Sequence, residues 1–112
     1  MLANVRFGAV TNRETWIDRV ELRDDSGPVD LSAADCQLEV QSQPGGSRAL
    51  SARTGDGVIT ASDEGFIEWT FDARQMRNLA PGLYNVGLIY TLDGVTTQVL
   101  TGVIQIDDGF VS

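Results

Sequence analysis

Carboxylates are the only side chains in this sequence with an obvious capacity for chemistry. There is no histidine, which removes the commonest general base and the commonest transition-metal ligand together. Lysine is also absent, and Cys36 is the single cysteine, so nucleophilic catalysis would fall to an unaided Ser or Thr. No Gly-x-Ser-x-Gly elbow occurs, and the glycine-rich pieces do not match a phosphate loop. The acids remain. Asp24 with Asp25, Asp63 with Glu64, and Asp107 with Asp108 are adjacent pairs that could act as general acid and base. Asp24, Asp25 and Asp30, or Asp56, Asp63 and Glu64, could offer oxygen ligands to calcium. All of these acids lie in turn-like contexts, where carboxylates are ordinarily solvated, and neither trio follows EF-hand spacing. The expectation is a chain with no catalytic residue, no metal and no cofactor, hence not an enzyme.

Charge narrows the partners. The net charge is −8, from 16 acidic residues against 8 basic ones. Every basic residue is an arginine, and Arg6, Arg13, Arg19, Arg23, Arg48, Arg53, Arg74 and Arg77 are scattered among acids rather than gathered in a stripe. Such a chain repels phosphate backbones at long range, so no nucleic-acid partner is expected. No apolar run approaches the roughly 18 residues of a membrane span. The N-terminus Met1-Leu2-Ala3-Asn4-Val5-Arg6 lacks a basic start followed by an apolar core, so no signal peptide is expected. A small-molecule substrate is not expected either.

The elements that position these residues read as strands, the first a short, weakly alternating edge strand over Asn4–Val10 with Val5 and Phe7 on one side. Trp16, Asp18, Val20 and Leu22 alternate with Ile17, Arg19, Glu21 and Arg23, a period-2 pattern, which stops in the turn cluster Asp24-Asp25-Ser26-Gly27-Pro28. Leu31 is expected to plug the end of the domain, beside a helical turn capped by Asp30 or Ser32. Cys36, Leu38 and Val40 face inward on the next strand, which makes Cys36 a small buried hydrophobe. Gln43-Pro44-Gly45-Gly46-Ser47 reads as a flexible loop. Short strands around Leu50 and Val58–Thr60 precede Phe66–Phe71, whose heavier face is Ile67, Trp69 and Phe71. Asp72–Leu79 is the helix candidate, about two turns capped by Asp72 with Met76 and Leu79 inward. Tyr84, Val86, Leu88 and Tyr90 alternate on a strand that turns at Asp93-Gly94, a type I′ signal. The closing strand, Val95 to Ile106, changes parity between Val99 and Ile104, which predicts a β-bulge. The aromatic rings, Trp16 and Phe66 included, are assigned to the core.

Leu79-Ala80-Pro81-Gly82-Leu83-Tyr84 is the most informative stretch. A Leu, a Pro-Gly turn and a Tyr opening a strand match a tyrosine corner, in which the phenol hydroxyl returns to backbone just upstream and fixes a crossover between sheets. Leu79, Pro81, Gly82 and Tyr84 are its expected residues. Seven or eight strands, turn signals about every 8–12 residues and one short crossover helix predict an all-β, immunoglobulin-like Greek-key sandwich. One domain is expected over 1–112, with a core of about 12–106, an N-terminal arm 1–11 and a C-terminal tail 107–112.

Trp16, the run Leu22-Arg23-Asp24-Asp25-Ser26-Gly27-Pro28-Val29-Asp30-Leu31-Ser32, then Gly65-Phe66-Ile67-Glu68-Trp69, the Leu79–Tyr84 corner, Gly94 and Gly102-Val103-Ile104-Gln105-Ile106 occur in an order that resembles small immunoglobulin-like domains of tailed bacteriophages. These include the N-terminal domain of baseplate upper proteins and the sandwich proteins of tail-tip collars and fibre attachments. The resemblance covers about residues 12–106 and carries structural residues, with no active site to transfer. It implies a virion structural protein, made in the bacterial host cytoplasm, that acts as a tail-tip or baseplate adaptor or fibre-attachment subunit in multiple copies. Its partners would be other virion proteins (tail, baseplate, fibre or capsid subunits) and copies of itself. A capsid decoration or head-fibre protein, and a carbohydrate-binding or adhesive module, are the alternatives. Phe7, Phe110 and Val111 are the candidate inter-subunit contacts.

Overall fold

A computed structural model describes residues 3–42 and 48–109. The loop reading of Gln43–Ser47 and the contact residues Phe110 and Val111 lie outside the described residues.

The chain is mostly β and forms a sandwich of two sheets. The larger sheet contains β1 (Ala3–Arg6), β2 (Val10–Thr11), β6 (Asp35–Gln41), β7 (Arg48–Arg53), β10 (Gly82–Leu92) and β11 (Val95–Asp107). Its order is β1-β11-β10-β6-β7, with β2 also on β11. The smaller sheet has the order β3-β9-β8, from Trp16–Glu21, Phe66–Phe71 and Ile59–Ala61. A separate hairpin pairs β4 (Arg23–Asp24) with β5 (Gly27–Pro28). Eleven strands are thus present among the described residues against an expectation of seven or eight. The surplus is β2, β4 and β5, two residues each, too short to leave a periodic signal.

Period-2 alternation decides which residues meet between the sheets. Cys36, Leu38 and Val40 of β6, Tyr84, Val86 and Leu88 of β10, and Leu100, Ile104 and Ile106 of β11 are buried on the inner face of the larger sheet. Trp16, Ile59, Ile67, Trp69 and Phe71 oppose them from the smaller one. Leu31 is fully buried, as expected of a plug, but its neighbours form a turn rather than a helical cap, with Asp30 Oδ1 accepting from both Ser32 N and Ser32 Oγ. Asp18 shares the inward parity of β3 because its carboxylate accepts the indole N–H of Trp16 at 3.1 Å.

The structure corrects several expectations. The crossover helix α1 is one turn, Ala73–Met76, not two. A reciprocal capping box between Asp72 and Gln75 starts it, and Leu79 reaches the core from the following coil. The bulge lies at the front of the window in which it was expected. Leu88 opposes Leu100 while Ile89 opposes Gln98, so Val99 is the extra residue and the consecutive Val99 and Leu100 are both buried. Phe66 is not core. It is half-buried on the outer face under the Arg19 guanidinium, 4.6 Å from its ring centroid. The edge strand expected over Asn4–Val10 is present as two pieces, within the segment assigned to the arm: β1 and β2 run parallel to β11 at the edge of the larger sheet, and Phe7 N donates to Val103 O between them. The expected tail also begins inside the fold, since Asp107 belongs to β11 and pairs with Thr11.

Candidate functional site

Two places collect the residues of interest. The first is the end of the sandwich where the crossover meets β2 and the end of β11. Tyr84 is buried and its Oη donates to the Ala80 carbonyl at 2.6 Å, over the exposed Pro81 and Gly82. Leu79 packs in the core, and its carbonyl accepts from Asn12 Nδ2 at 3.0 Å. Asn12 does more. Its Oδ1 accepts Gly109 N at 3.0 Å, and its own N–H donates to Asp107 O. One buried amide therefore ties β2, the crossover and the end of β11 together. Sequence reasoning passed over Asn12, since a lone Asn in a Thr-Asn-Arg turn carries no periodic signal. The buried carbonyl it must satisfy comes from 67 residues away.

Phe7, the described one of the candidate inter-subunit contacts, closes an aromatic cluster in its own chain. Its ring meets Trp16 at 5.7 Å and Trp69 at 6.0 Å, both edge-to-face. Trp16 and Trp69 meet at 5.8 Å in the same manner, and Phe71 stacks on Trp16. Edge-to-face pairs of this kind add about 0.5–1.5 kcal/mol each beyond area burial, so Phe7 anchors the N-terminal strands to the smaller sheet.

The second place is the outer face of the larger sheet. Gln37, Glu39 and Gln41 of β6 lie beside Asn85, Gly87 and Ile89 of β10, and the missing side chain of Gly87 leaves a shallow amide-lined depression with Gln98 at its rim. Gln98 is held there because its Nε2 bridges the bulge, donating to Leu88 O and Leu100 O. Glu39 accepts from both Gln37 and Gln41. No described aromatic ring lines this depression.

Three of the carboxylates singled out above, Asp24, Asp30 and Asp56, are committed to their own loops. Asp24 Oδ1 accepts Ser26 N and Oγ, and Asp56 accepts Arg53 N and Val58 N. The serine hydroxyls first, and then the backbone N–H groups of the same serines, hold Asp24 and Asp30 below the ordinary carboxylate value. Among the described residues, no three Asp, Glu, Cys or His groups converge as a metal site, and no helix is long and apolar enough to cross a membrane. Cys36 is fully buried, and loss of hydration is the main cause that pushes its thiol up in pKa, away from the reactive thiolate.

Comparison with protein-family models and with curated protein sequences finds no match.

Proposed function

We propose that this chain is a non-enzymatic structural subunit of a tailed-phage virion, an immunoglobulin-like Greek-key domain that works by assembling in multiple copies at the tail tip or baseplate. The strand order supports the fold part of this reading. With β3, β9 and β8 as B, E and D, and β6, β10 and β11 as C, F and G, the two sheets follow the immunoglobulin division, with β7 as C′ and β1 on G. The family part rests on the ordered motifs from Trp16 to Ile106.

The observation that carries the assembly role is where bonding capacity remains. Asp24, Asp30 and Asp56 use their carboxylates on their own loops, whereas Ile17, Leu83 and Val95 are large apolar residues left more than half exposed, on or next to strand edges and outer faces. A domain with modest contacts of this kind becomes firmly held when a ring or lattice offers many sites at once. Its partners are then tail, baseplate, fibre or capsid subunits and further copies, and its location is the virion. The amide-lined depression over Gly87 is the observation that favours the carbohydrate-binding alternative, although it offers no ring on which a sugar could stack.

Mass spectrometry and cryo-electron microscopy of purified particles test the proposal. The expected result is this sandwich in a symmetric set of copies on the particle. Its absence from particles overturns the virion role, and tight capture of a defined glycan by the isolated domain would favour the adhesive module instead.

A further inference from the structure

Among the described residues no strand pairs with the outer side of β3, and this edge carries more specific information than its exposure alone. β3 is the end strand of the order β3-β9-β8, and the hydrogen-bond parity of its ladder can be read from three contacts. Leu22 N donates to Gly65 O, whereas Phe66 O accepts from Ser62 N and Thr70 N donates to Val58 O, both on the β8 side of β9. Phe66 and Thr70 are opposite Glu21 and Ile17. In an antiparallel ladder, hydrogen-bonded and non-hydrogen-bonded pairs alternate. Residues 16, 18, 20 and 22 therefore bond to β9, while Ile17, Arg19 and Glu21 turn their N–H and C=O groups to the open edge. The side chains of these same three residues are exposed on the outer face, Ile17 at 60%. No bulge interrupts this strand and it holds neither proline nor lysine; its protection against indiscriminate pairing is charge, Arg19 and Glu21 at the edge and Asp18 on the inward face, so charge governs what can pair with it.

We propose that β3 pairs antiparallel with β3 of a second copy about a two-fold axis at Val20, joining the two smaller sheets into one. Charge selects this register. The edge-facing residues must pair with one another, and antiparallel pairing across a two-fold gives few choices. Centring on Ile17 would carry Arg19 and Glu21 past residues 15 and 13, where the chain turns instead of running extended. Centring on Arg19 or on Glu21 sets like charges directly opposite, and centring on Asp18 opposes two carboxylates on the inward face. Centring on Val20 places Arg19 opposite Glu21 of the second copy twice over, with Ile17 opposite Arg23. Opposite charges across a strand pair stabilise it, and like charges destabilise it. The isologous geometry doubles each effect. Among the described residues Arg19 forms no ion pair, and Glu21 has only an exposed 3.6 Å contact with Arg23 of its own chain, a surface pair worth little that can yield to a closer partner. Its guanidinium rests on Phe66, within one side-chain length of the edge. The inference deepens the assembly reading by naming one of its surfaces. It is tested on the isolated protein, so its failure would leave the virion role standing.

Sedimentation equilibrium at low salt, at concentrations up to about 1 mM, the weak end of specific association, is expected to show a reversible dimer. Arg19→Glu is expected to weaken it about tenfold through two symmetry-related like-charge contacts, and so is Glu21→Arg. The double exchange Arg19→Glu with Glu21→Arg should restore it, because the swapped pair is again complementary. Amide hydrogen exchange on the wild-type protein gives a second reading that needs no variant. The Ile17, Arg19 and Glu21 amides should gain protection as concentration rises, while the Val20 and Leu22 amides are protected throughout. A monomer at all concentrations, a dimer indifferent to the single reversals, a double exchange that does not restore pairing, or edge amides that never gain protection would each overturn the proposal.

Discussion

The phenol of Tyr84 donates to the carbonyl of Ala80 four residues upstream, across 2.6 Å, so the Pro81-Gly82 turn is held from beneath by a side chain anchored in the core. Tyr84→Phe keeps the ring and removes only this bond. The expected loss is about 1–2 kcal/mol, the net value of a part-buried hydrogen bond whose acceptor is left without it. A urea midpoint unchanged from wild type would show that the hydroxyl contributes nothing to the crossover.

Asn12 should be more costly to change than its turn position implies. Asn12→Ala leaves the Leu79 carbonyl and the Gly109 amide without their partner, and about 2–3 kcal/mol is expected to be lost. Asn12→Asp keeps an acceptor for Gly109 but sets a carboxylate against the Leu79 carbonyl. Burial and this repulsion raise the new carboxyl's folded pKa above its unfolded value, so the protein binds more protons folded than unfolded. The variant should therefore be more damaged near pH 7 than near pH 4. Denaturant titrations of both variants at the two pH values check the sign.

Gly65 and Gly57 share nearly the same backbone angle, φ of +85° and +84°, but not the same surroundings. A Cβ on Gly65 would run into the Leu22 carbonyl and approach Val29 N at 3.2 Å, whereas nothing lies within 4 Å of one on Gly57. Gly57→Ala should cost only the left-handed strain, about 1 kcal/mol. Gly65→Ala must also displace backbone that carries the Leu22-to-Gly65 and Val29-to-Leu22 hydrogen bonds, and about 3 kcal/mol or more is expected. Equal losses for the two would mean that conformation alone matters at Gly65.

Asp24 and Asp30 titrate below the ordinary carboxylate value when folded. The folded state thus binds fewer protons than the unfolded one across that interval. Their contribution is present above the unfolded value and lost as the pH falls through the folded ones. Both groups are exposed, so the increment is small. Replacing both with Asn should flatten the wild-type decline between about pH 4 and pH 2 and leave stability near neutrality little changed, as read from thermal melts across that range.

Local chemistry made much of the architecture legible. Alternation in β6, β9 and β10 named the inward residues, because side chains on a strand must point to opposite faces. Asp93 and Gly94 named the hairpin, because a two-residue turn of the right twist needs positive φ at both positions, and both have it. The Pro-Gly-x-Tyr spacing placed the phenol over the crossover, because four residues are just enough for it to reach back. What tertiary structure alone decided depends on partners remote in sequence. Asn12 becomes a tie only where Leu79 and Gly109 converge on it. Phe7 becomes an anchor for the N-terminal strands because two tryptophans from β3 and β9 offer it their rings. The edge strand legible over Asn4–Val10 is split into β1 and β2 and runs parallel to β11, a partner and direction that its own pattern did not specify. Phe66 faces outward although it is as apolar as Phe71, since the period of β9 gives the inner face to Ile67, Trp69 and Phe71. Hydrophobicity selects a face only as a set, and the position of each ring then follows from the pleat.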